Sequence, residues 1–192
     1  MTDPAGKPPG RARAALGLIV LGVAIGIAAM FAGQEADTYF SSNQFCNSCH
    51  TMEATVSQEL QHSAHAKAAS GVQPTCAHCH VAQKLFPALW DHFMGTGDLI
   101  AHLRGISTVE KFEERRAEAA DKERLKMLGQ NSGNCQRCHV MAAIQPSKPR
   151  GAAQHKEALA KGNSNCIACH YNLAHKEVPE SDAFSKAAEK YR

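Results

Sequence analysis

The feature that most constrains this chain is a pentapeptide, Cys-x-x-Cys-His, which occurs four times in 192 residues. The four copies use all eight cysteines and leave none over. In such a pentapeptide the two thiols add to the vinyl groups of a c-type haem, and the histidine binds its iron. The sequence therefore predicts four covalently bound haem c groups. The attachment cysteines are Cys46, Cys49, Cys76, Cys79, Cys135, Cys138, Cys166 and Cys169, and the proximal ligands are His50, His80, His139 and His170.

Two other uses of the cysteines fit the pattern poorly. A disulfide framework suits a small secreted chain, and it gives no reason for a histidine to follow every second cysteine. A zinc site would use Cys-x-x-Cys pairs two at a time and would again leave the four histidines unexplained.

The composition predicts a fold built around the cofactors. Aromatic residues make up only 6% of the chain, which is little for a core of this size, so four haems supply the missing apolar bulk. We expect a mainly α fold with extensive loops and little or no sheet. The net charge of +3 is too small to indicate a nucleic-acid partner.

An apolar run predicts a membrane anchor near the N-terminus. Residues 14–33 carry no charge, and a helix of that length spans about 30 Å, the thickness of the bilayer hydrocarbon. Basic residues precede the run and acidic ones follow it, which predicts a cytoplasmic segment 1–13 and a periplasmic haem domain 34–192 at the inner membrane. The flanking charges are Lys7, Arg11, Arg13, Glu35 and Asp37.

The alternative is a cleaved signal peptide, whose apolar region is about 7–15 residues long and ends at a small-x-small site. The run here is longer and has no clean Ala-x-Ala at its end, so a retained anchor is favoured. Gly22 and Gly26 match Gly-x-x-x-Gly once, which is compatible with a homodimer through the anchor helix.

Motif spacing predicts an internal duplication. The first two motifs start at 46 and 76, and the last two at 135 and 166. His65 lies 11 residues before Cys76, and His155 lies 11 before Cys166, so both are predicted distal haem ligands in equivalent places. We expect two dihaem modules, about 40–81 and 130–176, linked by 82–129.

Three further side chains are candidate axial ligands. His175 follows motif four by five residues and is predicted to bind a haem of the neighbouring module. His102 is a candidate for either a ligand or a packing role. Met52, two residues after His50, has a thioether that could bind the first iron, with a core methionine as the alternative.

A charged helix is predicted between the modules. Ser107 and Glu110 have the spacing of a capping box, and Gly129 marks the expected end of the helix. Arg116 is predicted on its solvent face and Leu125 on its buried stripe. The polar tail from residue 180 is expected to fray.

These features together resemble the NapC/NirT/NrfH family of membrane-anchored quinol dehydrogenases, over essentially the whole chain, and the second half is most similar to the NapC branch. The resemblance implies that the protein takes electrons from menaquinol or ubiquinol and passes them to a periplasmic terminal reductase or its cytochrome subunit. Besides the anchor and the four motifs, the residues that carry it are Cys-His-x-Met at motif one, residues 108–113, Lys148-Pro149-Arg150, Gln154-His155 and Ala174-His175.

The resemblance also implies site residues. Met52 matches the family's unusual ligand of the first haem, and Asp98 matches an acid near that haem and the quinol pocket. The lysine that the family carries about six residues before the acid falls on His92 here, with Lys84 further upstream. We expect Asp98, His92 and Lys84 to form the quinol site.

Nitrate reductase is the acceptor that the resemblance favours, with nitrite, trimethylamine oxide or other reductases as alternatives. A different class is an electron shuttle without quinol chemistry. A catalytic multihaem reductase would need a five-coordinate haem, often with lysine in place of the motif histidine, and all four motifs here end in histidine. No terminal reductase site is therefore expected in this chain.

Overall fold

A computed structural model describes residues 9–105 and 107–192. The chain divides into two compact units, one ending at Phe40 and the other running from Ser41 to Arg192. Most of the expected cytoplasmic segment 1–13, including Lys7, lies outside the described residues. Among those that are described, the secondary structure is helical, with turns and loops and no strand, which confirms the predicted mainly α fold.

The first unit is a single helix, α1 (Pro9–Phe40). It is long and apolar enough to cross a membrane, and no other described helix meets that test. The helix extends seven residues beyond the apolar run at 14–33 because Gln34, Glu35 and Ala36 favour helix and no proline or capping residue interrupts them. It is compatible with a single-pass anchor.

The second unit contains short helices around the cysteine motifs and two long helices between them. The helices are α2 (Asn43–Cys46), α3 (His50–Met52), α4 (Gln58–His62), α5 (Cys76–His80), α6 (Leu85–Leu103), α7 (Val109–Gly129), α8 (Gly133–Gln136), α9 (Pro149–Ala160) and α10 (Asp182–Ala188). A π-helical turn, Glu53–Ser57, joins α3 to α4, and 3₁₀ turns cover Met141–Ala143, Cys166–Ala168 and Glu189–Tyr191.

The apolar core is small and lies where the end of α7 meets motif four and α10. It consists of Leu128, Ile167, Ala168, Phe184 and Ala188. Phe184 is fully buried, so α10 packs against the domain and the expectation of a frayed tail from residue 180 is wrong. Outside this cluster, Ala88 and Val178 are the only buried apolar residues among those that the structure describes.

Helix α7 begins one residue later than its sequence suggests. Thr108 is the N-cap, and its side chain accepts a hydrogen bond from the backbone N–H of Lys111. Ser107 lies outside the helix, where its carbonyl accepts from the Thr51 hydroxyl. The helix ends at Gly129 as expected.

The buried face of α7 also differs from the prediction. Arg116 and Arg124 are buried, whereas Leu125 is 37% exposed. Arg116 donates to Glu59 on α4 and to Glu113 on α7 itself, and Arg124 donates to oxygens of Pro179, Asn172 and Val178. These hydrogen bonds offset the cost of burying the two charges. The helical pattern of apolar residues could not predict the burial of these arginines, because reasoning from that pattern places every charged side chain in solvent.

Candidate haem sites and quinol site

Short helical turns lie at each motif. In α5 the motif is helical throughout, so Cys76, Cys79 and His80, spaced three and four residues apart, share one side of the helix. In the other motifs a helical turn covers only part of the pentapeptide: α2 ends at Cys46, α8 ends at Gln136, and a 3₁₀ turn begins at Cys166. Helix geometry therefore accounts for the common orientation of thiols and histidine at motif two.

The motif histidines each face one histidine from elsewhere in the chain. All three strongly predicted distal ligands take part, together with the ambiguous His102. The ring pairs and the distances between their centroids are His50–His102 at 5.3 Å, His80–His175 at 6.1 Å, His139–His65 at 6.2 Å and His170–His155 at 6.0 Å.

These separations fit six-coordinate haem. Two imidazoles on opposite sides of one metal have ring centres roughly 6 Å apart, given metal–nitrogen bonds of about 2 Å. Three pairs lie at 6.0–6.2 Å. The structure therefore places the residues of motifs two, three and four where they could hold a haem between two histidines.

The pair at motif one is different. The His50 and His102 rings are 5.3 Å apart and tilted by 49°, so they must separate by several tenths of an ångström to ligate one iron. Met52 lies two residues after His50 in α3, on the far side of the helix, and is 40% exposed. The geometry favours His102 over Met52 as the second ligand, and it marks this site as unlike the other three.

The ring pairs cross the boundary between the two expected modules. His175 faces His80, as the sequence led us to expect, and His65 faces His139 of the other module. His155 instead faces His170 of its own module. His65 and His155 are thus not equivalent, and the simple duplication inferred from spacing does not describe the ligand pairing.

Consecutive motifs are joined by hydrogen bonds. The Cys76 N–H donates to the Asn43 side chain at 3.1 Å, joining motifs one and two. Asn134 donates to the Cys79 carbonyl at 2.8 Å, joining motifs two and three. The Ile167 N–H donates to the Ser132 hydroxyl at 2.9 Å, joining motifs three and four.

Thiols of neighbouring motifs also come together. The Cys46 thiol hydrogen-bonds Cys76 and lowers the pKa of Cys76 to about 6, while the pKa of Cys46 is raised. Cys135 and Cys166 form the corresponding pair, in which the pKa of Cys166 is lowered to about 7. The attachment points of motifs one and two, and of motifs three and four, are therefore adjacent.

Carboxylates lie beside both histidines of the motif-two pair. The Nδ1 atom of His80 is 3.3 Å from Glu123 Oε2, and the Nδ1 atom of His175 is 3.6 Å from Glu59 Oε2. An imidazole that donates its Nδ1 proton to a carboxylate leaves Nε2 free to bind a metal. Burial and the neighbouring His80 lower the pKa of His175, which favours the neutral ligand form.

Sequence reasoning missed Glu59 and Glu123. Neither residue lies in a motif, and each is separated from its histidine by a long stretch of chain. The one signal was the i, i+3 spacing of Glu123 and Lys126 on α7, which is typical of any exposed helix. Only the folded chain shows that these carboxylates lie beside the Nδ1 atoms of His80 and His175.

The candidate quinol residues lie along α6 but do not form one cluster. Asp98 is one turn before His102, on the same side of the helix, and it interacts electrostatically with Arg115 of α7. His92 is half-buried nearer the middle of the helix. Lys84 is the N-cap, and 14 residues of helix separate it from Asp98 by about 21 Å, so the structure does not bring these two together.

Comparisons with known proteins show the family of this chain. Residues 9–181 match the model described as NapC/NirT cytochrome c family, N-terminal region. The chain is 36% identical to the cytochrome c-type protein TorC of Escherichia coli strain K12 over 92% of its own length and 46% of that relative, so it spans about half of the TorC relatives it matches.

Two other relatives are similar over more of their own length. A putative tetraheme cytochrome-c type protein of Allochromatium vinosum is 37% identical over 88% of this chain and 90% of the relative. The cytochrome c-type protein NapC of Escherichia coli strain K12 is 34% identical over 71% and 69%, respectively. No solved structure matches. With a family match over nearly its whole length, the chain belongs to the NapC/NirT cytochrome c family.

Proposed function

We propose that this chain is a membrane-anchored tetrahaem cytochrome c that oxidises quinol and passes the electrons to a periplasmic reductase. The observation that carries the proposal is the set of four histidine ring pairs, joined motif to motif and preceded by an apolar helix. Four covalently held haems would supply reversible one-electron transfer.

The anchor sets the direction in which electrons travel. With α1 in the inner membrane and the N-terminus in the cytoplasm, motif one begins only five residues after the helix ends at Phe40. Motif one would then lie near the membrane surface and receive electrons first. The hydrogen bonds between consecutive motifs keep each attachment site beside the next, which favours transfer outward through motifs two, three and four.

Proton acceptors are needed at the entry site because quinol oxidation releases two electrons and two protons. Asp98 is exposed and lies one turn from His102, so its carboxylate is placed to accept a proton from a quinol hydroxyl beside motif one. His92 would relay the second proton, since an imidazole can accept a proton at one ring nitrogen and donate one from the other. Lys84 would act at the far end of α6, in quinol entry rather than proton transfer.

The proposal is tested by adding menaquinol or ubiquinol to the full chain in liposomes and following haem absorbance. We expect rapid reduction in the wild type and at least a tenfold slower rate in Asp98→Ala. Asp121→Ala, on α7, is the matched control and should reduce at the wild-type rate. No reduction of the wild type, or an Asp98→Ala variant equal to it, would contradict quinol oxidation at this site.

We propose nitrate reductase of the periplasmic type as the acceptor, on the similarity of the second half to the NapC branch. Relatives named TorC match a longer stretch of the chain than those named NapC, so other reductases remain alternatives. Adding purified periplasmic nitrate, nitrite or trimethylamine oxide reductase to the reduced protein and measuring re-oxidation rates identifies the partner. Preference for a reductase other than nitrate reductase overturns this part of the proposal alone.

A second candidate function is an anchored electron shuttle fed by another cytochrome. It is favoured if soluble reductants reduce the protein quickly and quinol does not. Gly22 and Gly26 remain the basis for expecting a homodimer through α1, which cross-linking in membranes would detect.

A further inference from the structure

Helix α6 exposes a continuous apolar face. Large side chains recur at intervals of three and four residues, the spacing of one side of a helix. Most of them are more exposed than buried, and the ring centroids of Trp90 and Phe93 lie 5.6 Å apart, with the rings tilted by 32°. The face comprises Phe86 (82% exposed), Leu89 (37%), Trp90 (61%), Phe93 (62%), Met94 (55%) and Ile100 (47%). We call it the aromatic face.

The other side of α6 is the one that packs on the domain. Ala88 is 2% exposed. Asp91 is ion-paired with Lys126 of α7 at 3.1 Å and accepts a hydrogen bond from the Ala82 N–H at 2.8 Å. His102, on the same side, faces His50. The aromatic face therefore points away from both α7 and the first haem site.

None of the four histidine pairs lies on the aromatic face. Each motif has its histidine pair elsewhere, and the one pair that includes an α6 residue uses the opposite side of the helix. At 100° per residue, Trp90 and His102 are roughly 120° apart around the helix axis. The face needs another apolar environment.

Chain connectivity limits how far motif one can lie from the end of α1. Five residues, 41–45, separate the end of α1 from Cys46, and they span at most about 18 Å when fully extended. His102 lies beside His50 of that motif. If α1 spans the membrane, α6, which contacts motif one through His102, would lie near the membrane surface.

The composition of α6 is that of a helix lying in a membrane surface. Its apolar side is rich in Trp and Phe, which favour the interface between headgroups and acyl chains. Lys84 and Arg104 stand at its two ends, both exposed, where each could pair with a lipid phosphate.

We propose that α6 lies in the outer surface of the membrane, with its aromatic face among the acyl chains. The proposal rests on the anchoring role given to α1 under the proposed function. It extends that role by placing Asp98, at the border of the aromatic face, at the depth of the quinol headgroup. Quinol would then reach Asp98 from within the lipid without entering water.

Lipid photolabelling of the full haem-loaded chain tests this placement. The protein is reconstituted in nanodiscs containing a phospholipid with a diazirine on its acyl chain, irradiated, digested and examined by mass spectrometry. We expect labels on α1 and on residues 86–100, and none on α9, which also carries an exposed leucine, Leu159. Labels on α1 without labels on α6 would overturn the proposal.

A paired variant separates this inference from quinol oxidation. Trp90→Ser combined with Phe93→Ser should lose most of the α6 labelling and slow reduction by quinol several-fold, while reduction by dithionite is unchanged. Val140→Ser, at a 65% exposed position outside α6, is the control. If the wild type is labelled on α6 but is not reduced by quinol, the placement stands and the proposed function fails; unchanged α6 labelling in the double variant contradicts the placement.

Discussion

At the scale of single residues, motif two stands out through its carboxylates. Glu123 accepts from His80 Nδ1 at 3.3 Å, and Glu59 lies 3.6 Å from His175 Nδ1. Burial raises the pKa of Glu123, but the hydrogen bond from His80 and nearby lysines outweigh it and hold the pKa below its usual value. An ionised acceptor makes the imidazole a stronger electron donor to its metal, which stabilises the ferric state.

We therefore expect Glu123→Gln to raise the midpoint potential of one of the four haems and to leave the other three unchanged. A spectroelectrochemical titration of the full chain measures all four. Glu118→Gln is the matched control, because Glu118 lies on the same helix, paired only with exposed Arg115. Four unchanged potentials in Glu123→Gln would show that this contact does not tune the site.

The ligand of the first haem is a second question at this scale. The His50–His102 geometry predicts that His102→Ala converts one low-spin haem into a high-spin one, because its second ligand is removed. Met52→Leu should leave the spectrum unchanged. Electron paramagnetic resonance distinguishes the two forms, and the reverse pattern would assign the ligand to Met52.

At the scale of elements, α7 holds the domain together through a buried arginine. Arg116 is 7% exposed and donates to both oxygens of Glu59 on α4, at 3.0 and 2.8 Å. It also pairs with Glu113, and Glu59 accepts from the Lys176 N–H, one residue after His175. The network connects two helices to the loop that carries a distal ligand.

Removing Arg116 should therefore destabilise the protein strongly. Arg116→Met leaves Glu59 in a largely buried position without its cation, which costs about 3 kcal/mol. Arg115→Met, next along the helix and with a 73% exposed side chain, should change the free energy of unfolding little. Urea unfolding of the two variants compares them directly. An equal loss of unfolding free energy in the two variants would mean that the buried Arg116–Glu59 pair contributes no extra stability.

The same network predicts an acid-sensitive stability. Hydrogen bonds from Arg116 and Lys176 lower the pKa of Glu113 to about 2. Burial raises the pKa of Glu59, but Arg116 and the Lys176 N–H hold it below its usual value. Because both folded pKa values are depressed, their stabilisation is present above about pH 4.5, the value for an unpaired carboxyl, and is lost as the pH falls towards 2.

Urea midpoints measured between about pH 5 and pH 3 check this dependence. Wild type should lose stability steadily as pH falls, and Glu113→Gln should show a shallower slope. If the urea midpoint of Glu113→Gln falls with pH as steeply as that of the wild type, Glu113 does not contribute to the loss of stability in acid.

At the scale of the whole molecule, the sequence predicted the parts better than their connections. The four Cys-x-x-Cys-His motifs and the apolar helix are local patterns, because covalent attachment and membrane insertion need fixed spacings. The contact between the His65 and His139 rings depends on the tertiary fold, which the spacing of residues along the chain does not determine. Arg116 was misassigned for the same reason, since its acceptor Glu59 is 57 residues away.

The ring pairs also make the haem domain one body. Motif two takes its partner from the C-terminal segment, and motif three takes its partner from the segment after motif one. Two independently folding dihaem modules are therefore not expected, in line with the single compact unit from Ser41 to Arg192.

The central claim is that electrons enter at motif one from quinol in the membrane. It is tested most directly by mixing the full chain in liposomes with menaquinol and freezing samples over the first milliseconds for electron paramagnetic resonance. The signal that His102→Ala alters should disappear first, followed by the other three. Loss of another signal before it, or no loss of any signal, would contradict the claim.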